Sequence, residues 1–173
     1  MKTFALAATL MGCLSAAASV VAEEPTAEDY MKFFKYLEGQ WKTSGTLKGE
    51  SFEGTWTAKR SPTGHCLDVC STISGQPFDH FLHGYDPGAK CWRGCGFQAD
   101  GAFIQLQARF DPESLPVRFP GAKLKGKAKA VTAAGEVKSV ETVTTIISED
   151  KFKHEVSGER PAEVVFERQK KDK

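Results

Sequence analysis

Cys66, Cys70, Cys91 and Cys95 form two C-x-x-x-C pairs, and His65, His80, His83 and His154 are the histidines available beside them. Sulfur chemistry comes first. In an extended strand, residues four apart lie about 13 Å from each other, at roughly 3.3 Å each. A disulfide needs Cα atoms within about 7 Å. If both segments are strands, neither pair closes on itself, neither chelates an ion alone, and the spacing is not that of a zinc ribbon. Cross-strand bridges are the next option. Cys66-x-Asp68-x-Cys70 mirrors Cys91-x-Arg93-x-Cys95, so antiparallel neighbours would set Cys66 against Cys95, Asp68 against Arg93 and Cys70 against Cys91. A meander that inserts residues 78–85 between them holds the two strands roughly 10 Å apart, at about 4.8 Å per step, too far for a bridge. Disulfides, free thiols and a four-thiolate metal site stay open as alternatives; an exporting compartment favours the disulfides.

Among the histidines, His80 and His83 are three apart and point to opposite faces of any strand that holds both. Phe152, His154 and Val156 alternate with Lys151, Lys153 and Glu155, which puts His154 on the apolar, inward face. A lone histidine there carries little specificity and is best satisfied by hydrogen bonds within a polar patch. Asp68, Glu141 and His154 form the inward set able to do acid–base work. No G-x-S-x-G, H-E-x-x-H, P-loop or G-x-G-x-x-G sequence occurs, so no catalytic residue and no metal ligand set is assigned, and an enzyme is not expected.

The elements that must position these side chains are mostly strands. One helix is predicted, over about 27–38. Thr26 caps it with Asp29 three residues on, Tyr30, Phe33, Phe34 and Leu37 make one apolar stripe, and Gly39 ends it. It should lie against the rest as a lid or plug. From Gln40 onward, turn signals such as Lys48-Gly49, Ser74-Gly75, Asp86-Pro87-Gly88 and Ala134-Gly135 break the chain into short runs. The runs fall near 40–47, 51–59, 65–73, 78–85, 89–97, 102–110, 122–132, 136–147, 151–157 and 162–169, the spacing of an all-β sandwich or barrel. In 122–130, Lys123, Lys125, Lys127 and Lys129 share one face and Ala122, Leu124, Gly126, Ala128 and Ala130 the other. The lysines read as a solvated exterior that discourages edge pairing, and the small inward residues either pack against something bulky, such as the aromatics of 33–41, or leave room inside. The long connection 111–121, with Pro112, Pro116 and Pro120, either crosses the barrel mouth or runs over the surface; a surface crossing is expected.

Residues 1–22 begin with Lys2, continue through an uncharged stretch of apolar and small residues, and end on Val20-Val21-Ala22. That is the layout of a secretory signal peptide, and the stretch is weakly hydrophobic for a membrane span. Cys13, after Leu10-Met11-Gly12, loosely resembles a lipoprotein acceptor and gives a minority reading of the same segment. The protein is therefore expected to be periplasmic or secreted, with residues 23–173 as one domain. Those residues carry equal numbers of acidic and basic side chains, which argues against nucleic acid as a partner, and no later segment is apolar enough to span a membrane.

Gly39-Gln40-Trp41 stands at a helix exit and the first strand, and Arg168 closes the last apolar strand. With Gly84-Tyr85-Asp86-Pro87 between them, the chain resembles the calycin (lipocalin-like) superfamily and, within it, small secreted bacterial barrels described as a domain of unknown function. The resemblance implies a single antiparallel meander barrel of about ten strands with one short N-terminal helix. It also implies that Gly39, Trp41 and Arg168 form a structural seam, a guanidinium over an indole joining first and last strands. It brings no active site. Three functional readings follow, in this order. The first is an interior site for a small, mostly apolar molecule, with Leu124, Phe152 and His154 as its lining. The second is a structural or interaction module with a filled core. The third is a haem- or metal-binding barrel, since some haem-binding barrels hold iron through one histidine on a late strand and His154 resembles that in placement; no cofactor is otherwise expected.

Overall fold

The computed structural model describes residues 24–159 and 161–170; the expected leader at 1–22, with Cys13, lies outside them. The chain begins with α1 (Ala27–Leu37), which carries the capping box: the Asp29 amide donates to Thr26 Oγ1 at 3.2 Å and the Thr26 amide to Asp29 Oδ2 at 2.9 Å. Its apolar stripe, Tyr30, Phe33, Phe34 and Leu37, is fully buried. Replacing Thr26 with Ala should cost about 1 kcal/mol and lower the melting temperature by roughly 2–4 °C, measurable by thermal denaturation.

Ten strands follow: β1 (Gly39–Leu47), β2 (Glu50–Arg60), β3 (Cys66–Ile73), β4 (Gln76–Asp86) and β5 (Cys91–Gln98), then β6 (Phe103–Phe110), β7 (Lys123–Val131), β8 (Val137–Ser148), β9 (Lys151–Ser157) and β10 (Ala162–Arg168). Each pairs antiparallel with its sequence neighbours and β1 pairs with β10, so the meander closes into a barrel. The ten strands and the N-terminal helix match the sequence expectation, with ends shifted by a residue or two.

Closure runs along the β1–β10 ladder from Trp41 to Leu47, and side chains reinforce one end of it. Trp41 on β1 lies in register with Arg168 on β10. The Arg168 guanidinium sits 4.1 Å from the Trp41 ring and donates to the Glu38 and Tyr36 carbonyls at 2.8 and 2.5 Å. The Trp41 indole N–H donates to the Leu37 carbonyl at 3.0 Å. One arginine thus joins the barrel seam and satisfies carbonyls that the helix end leaves without partners. Gly39 is required there: its φ is +131°, and a Cβ would stand 3.0 Å from Arg168 Nη1.

α1 plugs one end of the barrel. Tyr30 donates to the Lys90 carbonyl and Tyr36 to the Ser148 carbonyl, both at turns of that end. The connection 111–121 joins the plug, correcting the expected surface crossing. Leu115, Val117 and Phe119 pack against the core, and the Phe119 ring lies 5.7 Å from Tyr36. Their apolar surface is better buried over the barrel end than left in water. The lysines of β7 are exposed as expected, and Lys125 pairs with the buried Asp111 at 2.7 Å.

Candidate ligand-binding cavity

The barrel is hollow above the plug. A cavity of about 350 Å³ extends from Phe33 and Leu37 of α1 toward the opposite rim, where Leu47, Ile73, Gln98 and Ala162 line it. The inward positions of successive strands supply its wall, because side chains alternate faces with a period of two. Phe52, Trp56, Phe81, Ile104, Leu106 and Val164 make most of that wall apolar. Room exists where inward residues are small. Ala128 lines the cavity, whereas Gly126 is closely packed, with no space for a Cβ beside the Gln107 carbonyl oxygen and Ala108.

A few polar groups interrupt the apolar wall. His154 on β9 faces inward, and its Nδ1 is hydrogen-bonded to the Thr144 hydroxyl of β8 at 2.8 Å. His83 on β4 faces the same space with its ring stacked between Phe81 and Trp92, at centroid distances of 5.5 and 6.1 Å. Its seat is Gly94 on β5, where an added Cβ would stand 2.5 Å from His83 Nδ1. That nitrogen is buried and has no hydrogen-bond partner. An orphaned acceptor is tolerated more readily than an orphaned N–H, which assigns the proton to Nε2, on the other side of the ring. Burial pushes both imidazoles down to about 4, and for His83 the neighbouring His154 adds to the effect. Both rings are therefore neutral at pH 7. Asp79, also on the lining, accepts from the Ser71 hydroxyl at 2.6 Å. Burial raises its carboxyl, partly offset by the Ser71 hydrogen bond and the His80 charge.

Of the residues singled out from sequence, His154 and Phe152 line the cavity. Leu124 does not: it is 2 % exposed and belongs to the packed core, because its strand partner Phe110 packs against Tyr30 and Phe33 of α1 at the plugged end. Asp68 and Glu141 are exposed on the outer face, correcting the expected inward acid–base set; Asp79 is the carboxylate on the lining. The four cysteines are free thiols, with Cys70 and Cys95 exposed and Cys91 buried. β4 lies between β3 and β5, so the facing of Cys66 with Cys95 and of Cys70 with Cys91 does not occur. Sequence reasoning missed His83 and Asp79 as lining residues. The aromatic residues Phe81 and Tyr85, two positions to either side on the same face, were the available signal for His83.

No protein-family model and no curated protein matches the chain. Among solved structures it is similar to the crystal structure of Rv2717c from M. tuberculosis, with 11% sequence identity, 82% of this chain and 98% of that chain covered, and a TM-score of 0.60. That likeness establishes the ten-stranded antiparallel barrel as a shared fold. Two redesigned β-barrels also match: mFAP1 bound to DFHBI at 16% identity and TM-score 0.36, covering 78% of this chain and 96% of that one, and b11L5F_LGL at 15% identity and TM-score 0.36, covering 79% and 94%. The helix of this chain forms the floor of the cavity, and the half-buried His83, His154 and Asp79 join several hydroxyl groups and Gln98 as polar features a ligand would meet.

Proposed function

We propose that this protein is an exported member of the calycin superfamily that binds a small, mostly apolar molecule inside its barrel. The observation that carries the reading is the cavity of about 350 Å³, whose wall is apolar except for a few polar groups. That size and lining are those of small-molecule sites in barrel mouths. The polar groups select the kind of occupant. His83 and His154 are neutral at pH 7 and burial disfavours charge on Asp79, so the wall offers hydrogen bonds and no cationic side chain to pair with an anion. An uncharged molecule with an apolar body and one or two hydrogen-bonding groups fits best, because a buried unpaired ion would be costly. The filled-core interaction module has less support, since the space above α1 is not filled. A haem- or metal-centred interior would rest on His83 and His154 alone; a Soret band in the protein as purified would move that reading ahead.

The test is fluorescence titration with N-phenylnaphthylamine, a neutral apolar amine whose emission rises in an apolar site. Saturable one-to-one binding is expected. Ala128→Phe, which places a ring in the cavity, should weaken binding at least about tenfold, the effect of losing roughly 1.4 kcal/mol, while the circular dichroism spectrum is unchanged. Equal binding by the wild type and Ala128→Phe would place the probe elsewhere and overturn the proposal, as would no saturable binding at all.

A further inference from the structure

We propose that the outer face of β3 and β4 carries a second, independent site, for a zinc-class divalent cation, built from Asp68, Cys70 and His80. Cys70 and His80 are opposite each other in the β3–β4 register, and Asp68 stands two residues along β3 on the same outward face. The thiol, imidazole and carboxylate donor atoms all lie within 4.8 Å of one another. His80 Nε2 and Asp68 Oδ1 are already 2.6 Å apart.

The donor set fixes the chemistry. Thiolate with imidazole suits zinc and its neighbours over magnesium or calcium, which take oxygen ligands. Zinc bonds of about 2.3 Å to sulfur and about 2.0–2.2 Å to nitrogen and oxygen place tetrahedral donors roughly 3.3–3.8 Å apart. Small rotations of three exposed side chains reach that geometry. Two coordination modes use the same residues. Asp68 can ligate directly, or it can hold His80 Nε2–H while Nδ1 ligates beside Cys70, the carboxylate–histidine–metal arrangement. Either mode leaves at least one coordination position open to solvent.

A divalent ion supplies the positive charge that thiolate formation needs, releasing the thiol proton on binding. Lys59 is opposite Asp68 on β2 and is exposed. Phe97, opposite His80 on β5 and exposed, gives the imidazole an apolar flank. The C-x-x-x-C spacing cannot form this site, because it takes one cysteine of a pair and finds its other ligands across the ladder and one alternation away.

Cobalt(II) titration of the purified, reduced protein tests the site, with zinc competition as the second readout. One equivalent of cobalt should give a thiolate-to-cobalt charge-transfer band that zinc abolishes. Cys70→Ser should remove the band, and His80→Ala should weaken zinc at least about tenfold. Asp68→Asn should cost about 10–100-fold, the range found when a partner of a ligating histidine is lost. Cys66→Ser and Cys95→Ser should leave stoichiometry and affinity unchanged. All five positions are at least partly exposed, and circular dichroism verifies their fold. A band that survives Cys70→Ser, equal losses in Cys95→Ser, or no saturable binding would overturn the proposal.

Discussion

Arg168→Ala should destabilise the protein by roughly 2–4 kcal/mol, although the side chain lies near the end of the chain. The sum has two parts. A desolvated cation–π contact contributes up to about 2 kcal/mol, and hydrogen bonds from a charged donor about 1.5–3 kcal/mol each, before the freed carbonyls find water. The guanidinium serves three elements at once: Trp41 of β1, its own strand β10, and the Tyr36 and Glu38 carbonyls at the exit of α1. Arg168→Lys should recover less than half, since an ammonium lacks the planar fork that reaches both carbonyls while covering the indole. The loss should also couple to the plug. Proteolysis under native conditions should cut the 24–38 segment faster in Arg168→Ala than in Thr26→Ala, because the arginine holds the helix to the barrel. Urea denaturation measures the main effect. A change under about 0.5 kcal/mol, the range of ordinary surface substitutions, would show that the seam holds without it.

The architecture was legible because its signals are local. Glycine- and proline-containing turns fall at the strand ends, and Thr26, Asp29 and the Tyr30–Phe33–Phe34–Leu37 stripe specify the helix without reference to anything distant. The seam was legible for a different reason. Trp41 and Arg168 occupy the first and last strands, which a closed barrel must join, so topology alone makes them neighbours. The 111–121 connection was misread because proline content marks irregular chain and not exposure. Leu115, Val117 and Phe119 were the apolar residues that needed burial.

The candidate sites were less legible, because which face a strand residue takes depends on register and a slip of one residue reverses it. In Cys66-Leu67-Asp68-Val69-Cys70 the alternation of Leu67 and Val69 already placed Asp68 outside with the cysteines. Asp79 was hidden by an irregularity between Ser71 and Thr72, where the β3–β4 register shifts. The opposition of Cys70 and His80 is a property of pairing across the ladder, and no spacing within either strand reports it. Leu124 shows the remaining limit. Alternation assigns a residue to the interior, but depth along the barrel decides whether it meets a cavity or the packed core beneath it.

Acid should unfold this protein early, and the two interior histidines should be the main cause. Both rings titrate near 4 in the fold because burial disfavours their charge, whereas a free imidazole titrates near 6.5. Above about pH 6.5 neither state binds these protons, so the histidines leave stability unchanged there. Between about 6.5 and 4 the unfolded chain binds more protons than the fold, and stability falls as pH falls. A ring at about 4 in the fold and about 6.5 in the unfolded chain accounts for roughly 3 kcal/mol over that window. Two groups temper the loss. Glu155 beside His154 favours its charged form. Asp79, with its carboxyl raised, binds a proton in the fold before the unfolded chain does, so it adds stability as pH drops toward about 4. Urea denaturation at pH 7, 6 and 5 should therefore show a steep loss of several kcal/mol in the wild type. His83→Phe/His154→Leu should flatten that slope while leaving the cysteines and the β3–β4 exterior untouched. Equal slopes in the two proteins would mean that the imidazoles reach water through the mouth. The interior would then be wet, and the case for an uncharged, mostly apolar occupant would weaken with it.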